Sequence, residues 1–538
     1  MKLTRLIGLM RQSKTVSLYK CQKAEWSFIM IKKMSAILLV LCMVVCLFTG
    51  CDNTTTTTTT SDYIIEGEKS ETTGAESTNS GTTSGGSVSS GATSSGNQSS
   101  SNVQQDIKNP LKVDLGGAKI TIYTTTKDYF NSSAKATTKG DQARINMLKK
   151  LEKELNCKIE NKNISDGQLN TLAFTTISSG KSLSHLMFIK AHATCGMVSN
   201  KLVENLKKVP TMDITKGYLD VGGSVEASTY GGGTWFVAEP INIYSSAQGI
   251  FFNKRILKEI GLTDTDLYKM VDNNQWTISK MRELGKKAMK DLDGKSGMTA
   301  EDRWGITSID IESAFAPSVI ETCGAKMLTL DSKGNIKYNM EDANVINAIT
   351  LANEIIKDDY FYFGGGSDND RNKLFTSGRS LFHFAPAAHV TFLTDMEDDF
   401  GFMPFPSNKA DGKYFSAVNW NVSTFMIPKG LSSKELNNAG SFVQAYDYLA
   451  QDVIESINDD YTARYFRDDE SGKNFTIAAD GQKLTMAQSI GNTNEAILTG
   501  TYRVLWNLIA KGTSPSTAIQ SSKKAAITAI DELMKKIK

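Results

Sequence analysis

The chain has 538 residues, more than one ordinary hydrophobic core accommodates. Its 60 Lys and Arg stand against 58 Asp and Glu, so the balance points to neither a nucleic-acid partner nor a strongly acidic one. Only Cys157, Cys195 and Cys323 lie beyond residue 51 and none forms a Cys-x-x-Cys pair, which excludes a disulfide framework and a zinc ribbon.

Residues 1–29 mix basic, acidic and apolar side chains, and we read them as an extension upstream of the true start. A signal peptide begins at Met30, with Lys32 and Lys33 as its positive region and Ala36–Phe48 as its apolar region. That run is short for a membrane-spanning helix. It closes on Leu47-Phe48-Thr49-Gly50-Cys51, which resembles a bacterial lipobox. The resemblance implies that Cys51 is lipidated and anchors the chain to the outer face of the bacterial cytoplasmic membrane. Residues 1–51 are thus a leader. Residues 52–109 are Thr, Ser and Gly with few apolar side chains, including an unbroken threonine run, Thr54–Thr60. Such a segment buries too little to offset its chain entropy and is expected to be a disordered tether. Its mean reach as a flexible coil is about 40 Å.

The folded part begins near Pro110. Lys119–Tyr123 alternates as a strand, Ala143–Asn156 carries Ile145, Leu148, Leu151 and Leu155 at helical spacing, and Cys157–Glu160 follows as a second strand. Strand, helix, strand opens a parallel α/β sheet. Gln168–Ser179 reads as a helix and Leu186–Ile189 as a buried strand. Gly231-Gly232-Gly233 marks a turn before Trp235-Phe236-Val237. Gln248–Asn253 is a strand leading into a helix, Lys254–Ile260, which Gly261 closes. A linker follows, and then Trp276 with Thr277 or Ser279 as the cap of a helix reaching Asp291. Further on come a helix at Asn344–Lys357 and a return strand at Val422–Pro428. Helices at Ser441–Ala450 and Thr517–Lys536 complete the pass.

Several stretches together resemble the extracellular solute-binding proteins of ABC importers, carbohydrate-type family 1. They are Phe252-Asn253-Lys254, Ile260-Gly261-Leu262, Gln275-Trp276-Thr277, Trp304-Gly305, Ser377–Phe382, Gly401–Pro406 and Trp506–Gly512, in the family's order. The likeness spans 118–538. It implies an α/β, two-lobed, periplasmic-binding-protein-like fold of type II, with lobes joined by crossing strands at a hinge. The implied division is lobe 1 from 110–250, lobe 2 from 251–418, and a return to lobe 1 with closing helices over 419–538. The implied function is capture of a sugar or oligosaccharide between the lobes and its delivery to ABC permease subunits. On this reading the protein is a monomer without a cofactor and breaks no bond.

Enzyme motifs are missing. Gly180-Lys181-Ser182 lacks the earlier glycine of a phosphate loop, that position being Thr175. There is no Gly-x-Ser-x-Gly elbow and no His-Glu-x-x-His. The four histidines, His185, His192, His383 and His389, do not pair at zinc spacing. Asp291–Gly297 lacks the ligands of a calcium loop at its later positions and reads as a turn. Sugar rings present apolar faces that stack on aromatics, while their hydroxyls take directed hydrogen bonds. Trp235, Tyr244 and Trp420 lie near the two expected crossings, Ser246–Phe252 and Asn419–Phe425, and are the candidate stacking residues. Asn419 flanks Trp420, and Phe384 and His389 belong to a loop that the resemblance sets at the cleft. Two rival readings are a binding protein for a peptide or modified glycan, and a surface enzyme acting on polysaccharide. The latter needs a carboxylate pair, and Glu239, Asp395 and Glu397 are not paired by spacing.

Overall fold

The computed structural model describes residues 109–364, 367–410, 413–418, 421–491 and 494–538, all within one unit spanning Ser77–Lys538. The leader, Cys51, the proposed tether up to residue 108, Asn419 and Trp420 lie outside the described residues.

The expected strand–helix–strand opening forms. β1 (Ala118–Thr124) runs parallel to β2 (Cys157–Asn163), with Ile120 opposite Ile159. The helix between them, Lys139–Glu154, is capped by Thr138 and buries Ile145, Leu148 and Leu151. Asn156 turns the chain into β2 at φ 46°, the left-handed conformation that Asn tolerates. A second crossover helix, Asp166–Ser178, leads to β3 (Leu186–Lys190), also parallel to β1. A small hairpin, β4 (Thr229–Tyr230) and β5 (Gly233–Thr234), precedes β6 (Val237–Ala238).

The chain then passes to a second sheet through Glu239 and the helix Pro240–Ser245. β7 (Gln248–Asn253) is wholly buried, as its apolar run predicts. β8 (Trp304–Ser308) follows, then a β9 (Leu328–Leu330) and β10 (Ile336–Tyr338) hairpin, β11 (Ser380–Pro386) and β12 (Phe400–Pro404). The second sheet has the order β12-β7-β11-β8. A second passage, 405–422, includes β13 (Ser416–Ala417) and returns to β14 (Ser423–Met426), which completes a first sheet ordered β2-β1-β3-β14-β6. β15 (Gln482–Lys483) pairs with β13. Two sheets with helical crossovers, linked by two chain passages, make the two-lobed fold.

Helix ends follow the caps. Asn253 and Thr277 accept from the amides of Ile256 and Lys280, and Gly261 sits at φ 85°. The stretch expected to be a linker is instead a helix, Asp264–Asp272. A reciprocal Thr263–Asp266 box starts it, and Leu267, Tyr268 and Val271 anchor it. The helix expected over Ser441–Ala450 runs much further, from Ser433 to Arg464, behind a Ser432–Glu435 box. It packs on the Lys139–Glu154 and Pro240–Ser245 helices beside the first sheet, whereas the next helix, Asp469–Asp480, packs on β12. Among the described residues no helix is long and apolar enough to cross a membrane.

Candidate functional site

In the second sheet β8 and β11 are parallel and β7 is antiparallel to its neighbours, so Ser308, Pro386, Gln248 and Pro404 share one end. Ligands of open α/β sheets bind beyond the carboxyl ends of such strands. After β8 the backbone does something unusual. Asp310 is left-handed, at φ 48° and ψ 48°, and Ile311–Phe315 form a π-helical turn before the helix Ala316–Thr322. Phe315 anchors the turn inside the core, with ring centroids 5.3 Å from Phe361, 5.3 Å from Phe384 and 5.6 Å from Phe405. With Phe315 and Ala314 buried, the half-buried Glu312 and Ser313 are left toward the outside.

Glu312 and Ser313 line a cavity of about 210 Å³ together with Gln488, Leu498, Tyr502, Arg503 and Trp506. The last three belong to the helix Tyr502–Lys511, which packs on the π-turn. Its Val504, Leu505 and Leu508 face the core, and Trp506 is left 49% exposed. The polar members are held from behind. Tyr502 Oη lies 2.9 Å from Thr485 Oγ1, and burial pushes its pKa well above the ordinary phenol value. Gln488 Oε1 accepts from the Thr485 amide at 2.9 Å, and its Nε2 donates to the Val418 carbonyl. Arg503 pairs with Glu495. An open indole face, the buried Leu498 and a few fixed hydrogen-bonding groups can hold a partly apolar, partly hydroxylated molecule.

None of the four described candidates from the sequence lines this cavity. Trp235 is half-buried, donates from Nε1 to the Tyr230 carbonyl at 2.9 Å and covers Gly233, where a Cβ would stand 2.4 Å from the indole. Tyr244 is buried, with Oη 3.2 Å from Thr476 Oγ1 and its ring edge-on to Phe475. Phe384 is fully buried between Phe315 and Phe405. His389 Nε2 lies 2.8 Å from Asn372 Oδ1, and burial pulls its pKa down to about 4. Glu312, Tyr502 and Trp506, which line it, are not among the sequence candidates, although a Trp on the polar face of an otherwise amphipathic helix is a legible signal.

Two other polar places carry less chemistry. Carboxylates of Asp291, Asp293 and Asp302 approach within 4.8 Å of one another. Their loop already uses them: Asp302 accepts from the Leu292 and Thr299 amides at 2.7 and 2.6 Å, and Asp293 from Lys295 Nζ at 2.8 Å. The sequence expectation of a turn describes this geometry. A polar cavity of about 410 Å³ beside β2 includes Asp128, Glu152, Lys158 and Asn161. Glu152 takes the Ser132 hydroxyl and the Ile159 amide there, both at 3.0 Å.

Comparison with known proteins adds the family. Residues 146–452 match the family described as bacterial extracellular solute-binding protein. No curated protein matches the chain. Among solved structures, UspC from M. tuberculosis is similar at 14% identity and a TM-score of 0.53, over 76% of this chain and 100% of that one. The sugar-binding protein MalE from Xanthomonas citri is similar at 14% identity and 0.53, over 78% and 98%. The cyclic alpha-maltosyl-1,6-maltose binding protein from Arthrobacter globiformis gives 13% and 0.53, over 77% and 99%. At these identities the likeness is one of fold.

Proposed function

The chain belongs to the bacterial extracellular solute-binding proteins, and from that premise we propose that it captures a sugar or oligosaccharide and hands it to an ABC permease. The observation that carries the ligand class is Trp506, half open above a cavity edged by Glu312, Ser313, Gln488 and Arg503. Proteins of the same fold whose ligands are sugars, including one seen with maltotetraose, support this reading.

Asn419 and Trp420, outside the described residues, stay candidates for the site in this reading on their sequence alone, three to four residues before β14. Trp235 is a further contact, with part of its ring open. Tyr244, Phe384 and His389 are buried against their neighbours, and a contact from any of them requires those neighbours to repack. The ligand shifts an open–closed equilibrium about the two passages, and the protein itself performs no chemistry. Cys51 carries the lipid anchor, and residues 52–109 span from the membrane to the fold.

A thermal-shift screen over mono- and oligosaccharides tests the class, since a native-state ligand raises the midpoint. Calorimetry on Trp506→Ala then tests the site. Loss of a stacking face worth roughly 0.5–1.5 kcal/mol, with its buried area, weakens binding by about tenfold. Because Trp506 is half exposed, Tm falls little. Intact affinity in the variant, or a screen without any shift, overturns the proposal.

A further inference from the structure

Two backbone irregularities follow each other where β8 ends, and both adjoin the Trp506 cavity. A left-handed Asp310 is seldom occupied by a residue with a side chain, and π-turns are found mostly as local bulges at functional positions. Strained conformations persist where their surroundings over-determine them. The Asp310 amide donates to Asp368 Oδ1 at 3.3 Å, and its carbonyl accepts from the amides of Ala314 and Phe315 at 2.8 and 3.1 Å. Asp368 is in turn paired with Arg371. The Asp310 carboxyl caps no amide of the turn. Ser313, which lines the cavity beside Glu312, acts on that carboxyl and lowers its pKa.

We propose that Asp310 is the positioning residue of this cavity: its left-handed backbone and its carboxylate together aim Ser313 and Glu312 at the ligand. The proposal rests on reading the cavity as the ligand site. It concerns a residue that touches no ligand itself and acts through the turn.

Among the described residues, Asp368, Glu312, Ser313 and Arg371 act on the Asp310 carboxyl. Burial and the charge of Asp368 push its pKa up to about 6; Glu312 adds to this, while Ser313 and Arg371 oppose it. Ionised, the carboxylate is a strong acceptor for the Ser313 hydroxyl. Protonated, it holds Ser313 less firmly, so affinity falls as pH drops through about 6. Stability runs the other way. The folded value lies above the ordinary 3.8, so the contribution of this group to folding is largest in acid and is lost as pH rises toward 6. A residue with a structural role alone would not set affinity and stability against each other in this manner.

Three variants of the full chain separate the two parts of the claim. Asp310→Asn keeps a side chain that tolerates the left-handed backbone, Asp310→Gly keeps the backbone alone, and Asp310→Ala keeps neither. Hydrogen exchange across 311–316 is measured without ligand, beside Tm and calorimetric affinity for maltotetraose on both sides of pH 6. Exchange should be fastest in Ala, intermediate in Gly and near wild type in Asn. The Ala variant should lose about tenfold in affinity. The wild-type pH dependence should flatten in Asn, and Gly should melt no lower than Ala. If Asp310→Ala fails to fold, the Gly and Asn variants still decide through exchange and the pH profile. Equal exchange and equal affinity in all variants overturn the proposal. If the wild type ignores maltotetraose, the sugar reading fails for this probe, and exchange alone decides the positioning role: unchanged rates refute it.

Discussion

Asp447 is fully buried in the helix Ser433–Arg464, and neither of its carboxylate oxygens has a hydrogen-bond partner. Burial and the nearby Glu239 push its pKa well above the ordinary 3.8. Glu239, equally buried, is better served: it accepts from Tyr129 Oη at 3.0 Å, Tyr446 Oη at 2.9 Å and the Asn242 amide at 2.7 Å. For Asp447 the folded value lies above the unfolded one, so its stability contribution is complete in acid and falls as pH rises past 3.8. Asp447→Asn is therefore expected to raise Tm at neutral pH, by the few degrees that about 1–2 kcal/mol gives. Below pH 3.8 the gain should vanish. Thermal melts of both proteins across pH decide; a gain independent of pH would mean that amide packing, not charge, is responsible. Nothing in the sequence announces this acid, because Asn438–Asp447 is buried without a break and shows no polar face. Trp506 is the opposite case. Its helix has a clear apolar side, and the exposed indole could have been read from the spacing. Trp235, by contrast, was visible as an aromatic near a crossing, but spacing could not tell that its indole nitrogen is tied to the Tyr230 carbonyl.

At the level of elements, β8 meets the helix Ile278–Ala288 through glycine. A Cβ on Gly305 would stand 2.2 Å from the Gly285 carbonyl oxygen, while one on Gly285 would stand 3.1 Å from an Ile306 side-chain carbon. Backbone cannot yield as a side-chain terminus can. Gly305→Ala is expected to cost about 1–3 kcal/mol or more, at the upper end of overpacking, and Gly285→Ala less. Chemical denaturation of the two variants gives the order, and a reversed order would show that the helix, not the strand, sets the approach. The Trp304-Gly305 pair was legible as a motif; the facing carbonyl that makes glycine necessary was not. Strands and capped helices were legible for the same local reasons that form them: alternation in β1, the Thr277 cap, and Gly261 at φ 85°. Asp264–Asp272 was missed because its Thr263-x-x-Asp266 box was passed over among polar residues. The π-turn was missed because it is fixed by Phe315 packing against three distant rings, which no local pattern encodes.

At the scale of the molecule the two lobes share two chain passages, 239–247 and 405–422, and these are tied to each other. The Glu239 amide donates to the Ser423 carbonyl at 3.0 Å, and the Ser423 amide donates to Asn242 Oδ1 at 2.7 Å. Both of these ties lie within the described residues. Pro110 is already buried, and Leu115, 3% exposed, donates its amide to the Leu155 carbonyl at 2.8 Å. The Thr, Ser and Gly segment, read from its composition as a tether, is expected to be dispensable for folding and for binding. A protein beginning at Pro110 is expected to melt cooperatively at the Tm of the longer chain and to bind with the same affinity. One beginning at Gly117 lacks Leu115 and should lose about 1.5–3 kcal/mol, the worth of one buried aliphatic side chain. In the full chain, Cys51→Ala should leave binding intact and release the protein from the membrane fraction or leave an unprocessed precursor. Melting, calorimetry and fractionation of these proteins separate the proposed anchor from the binding unit. A drop in Tm on cutting at Pro110 would place part of the fold upstream. Unchanged fractionation of Cys51→Ala would remove the lipid from the account while leaving the two-lobed binding protein as it stands.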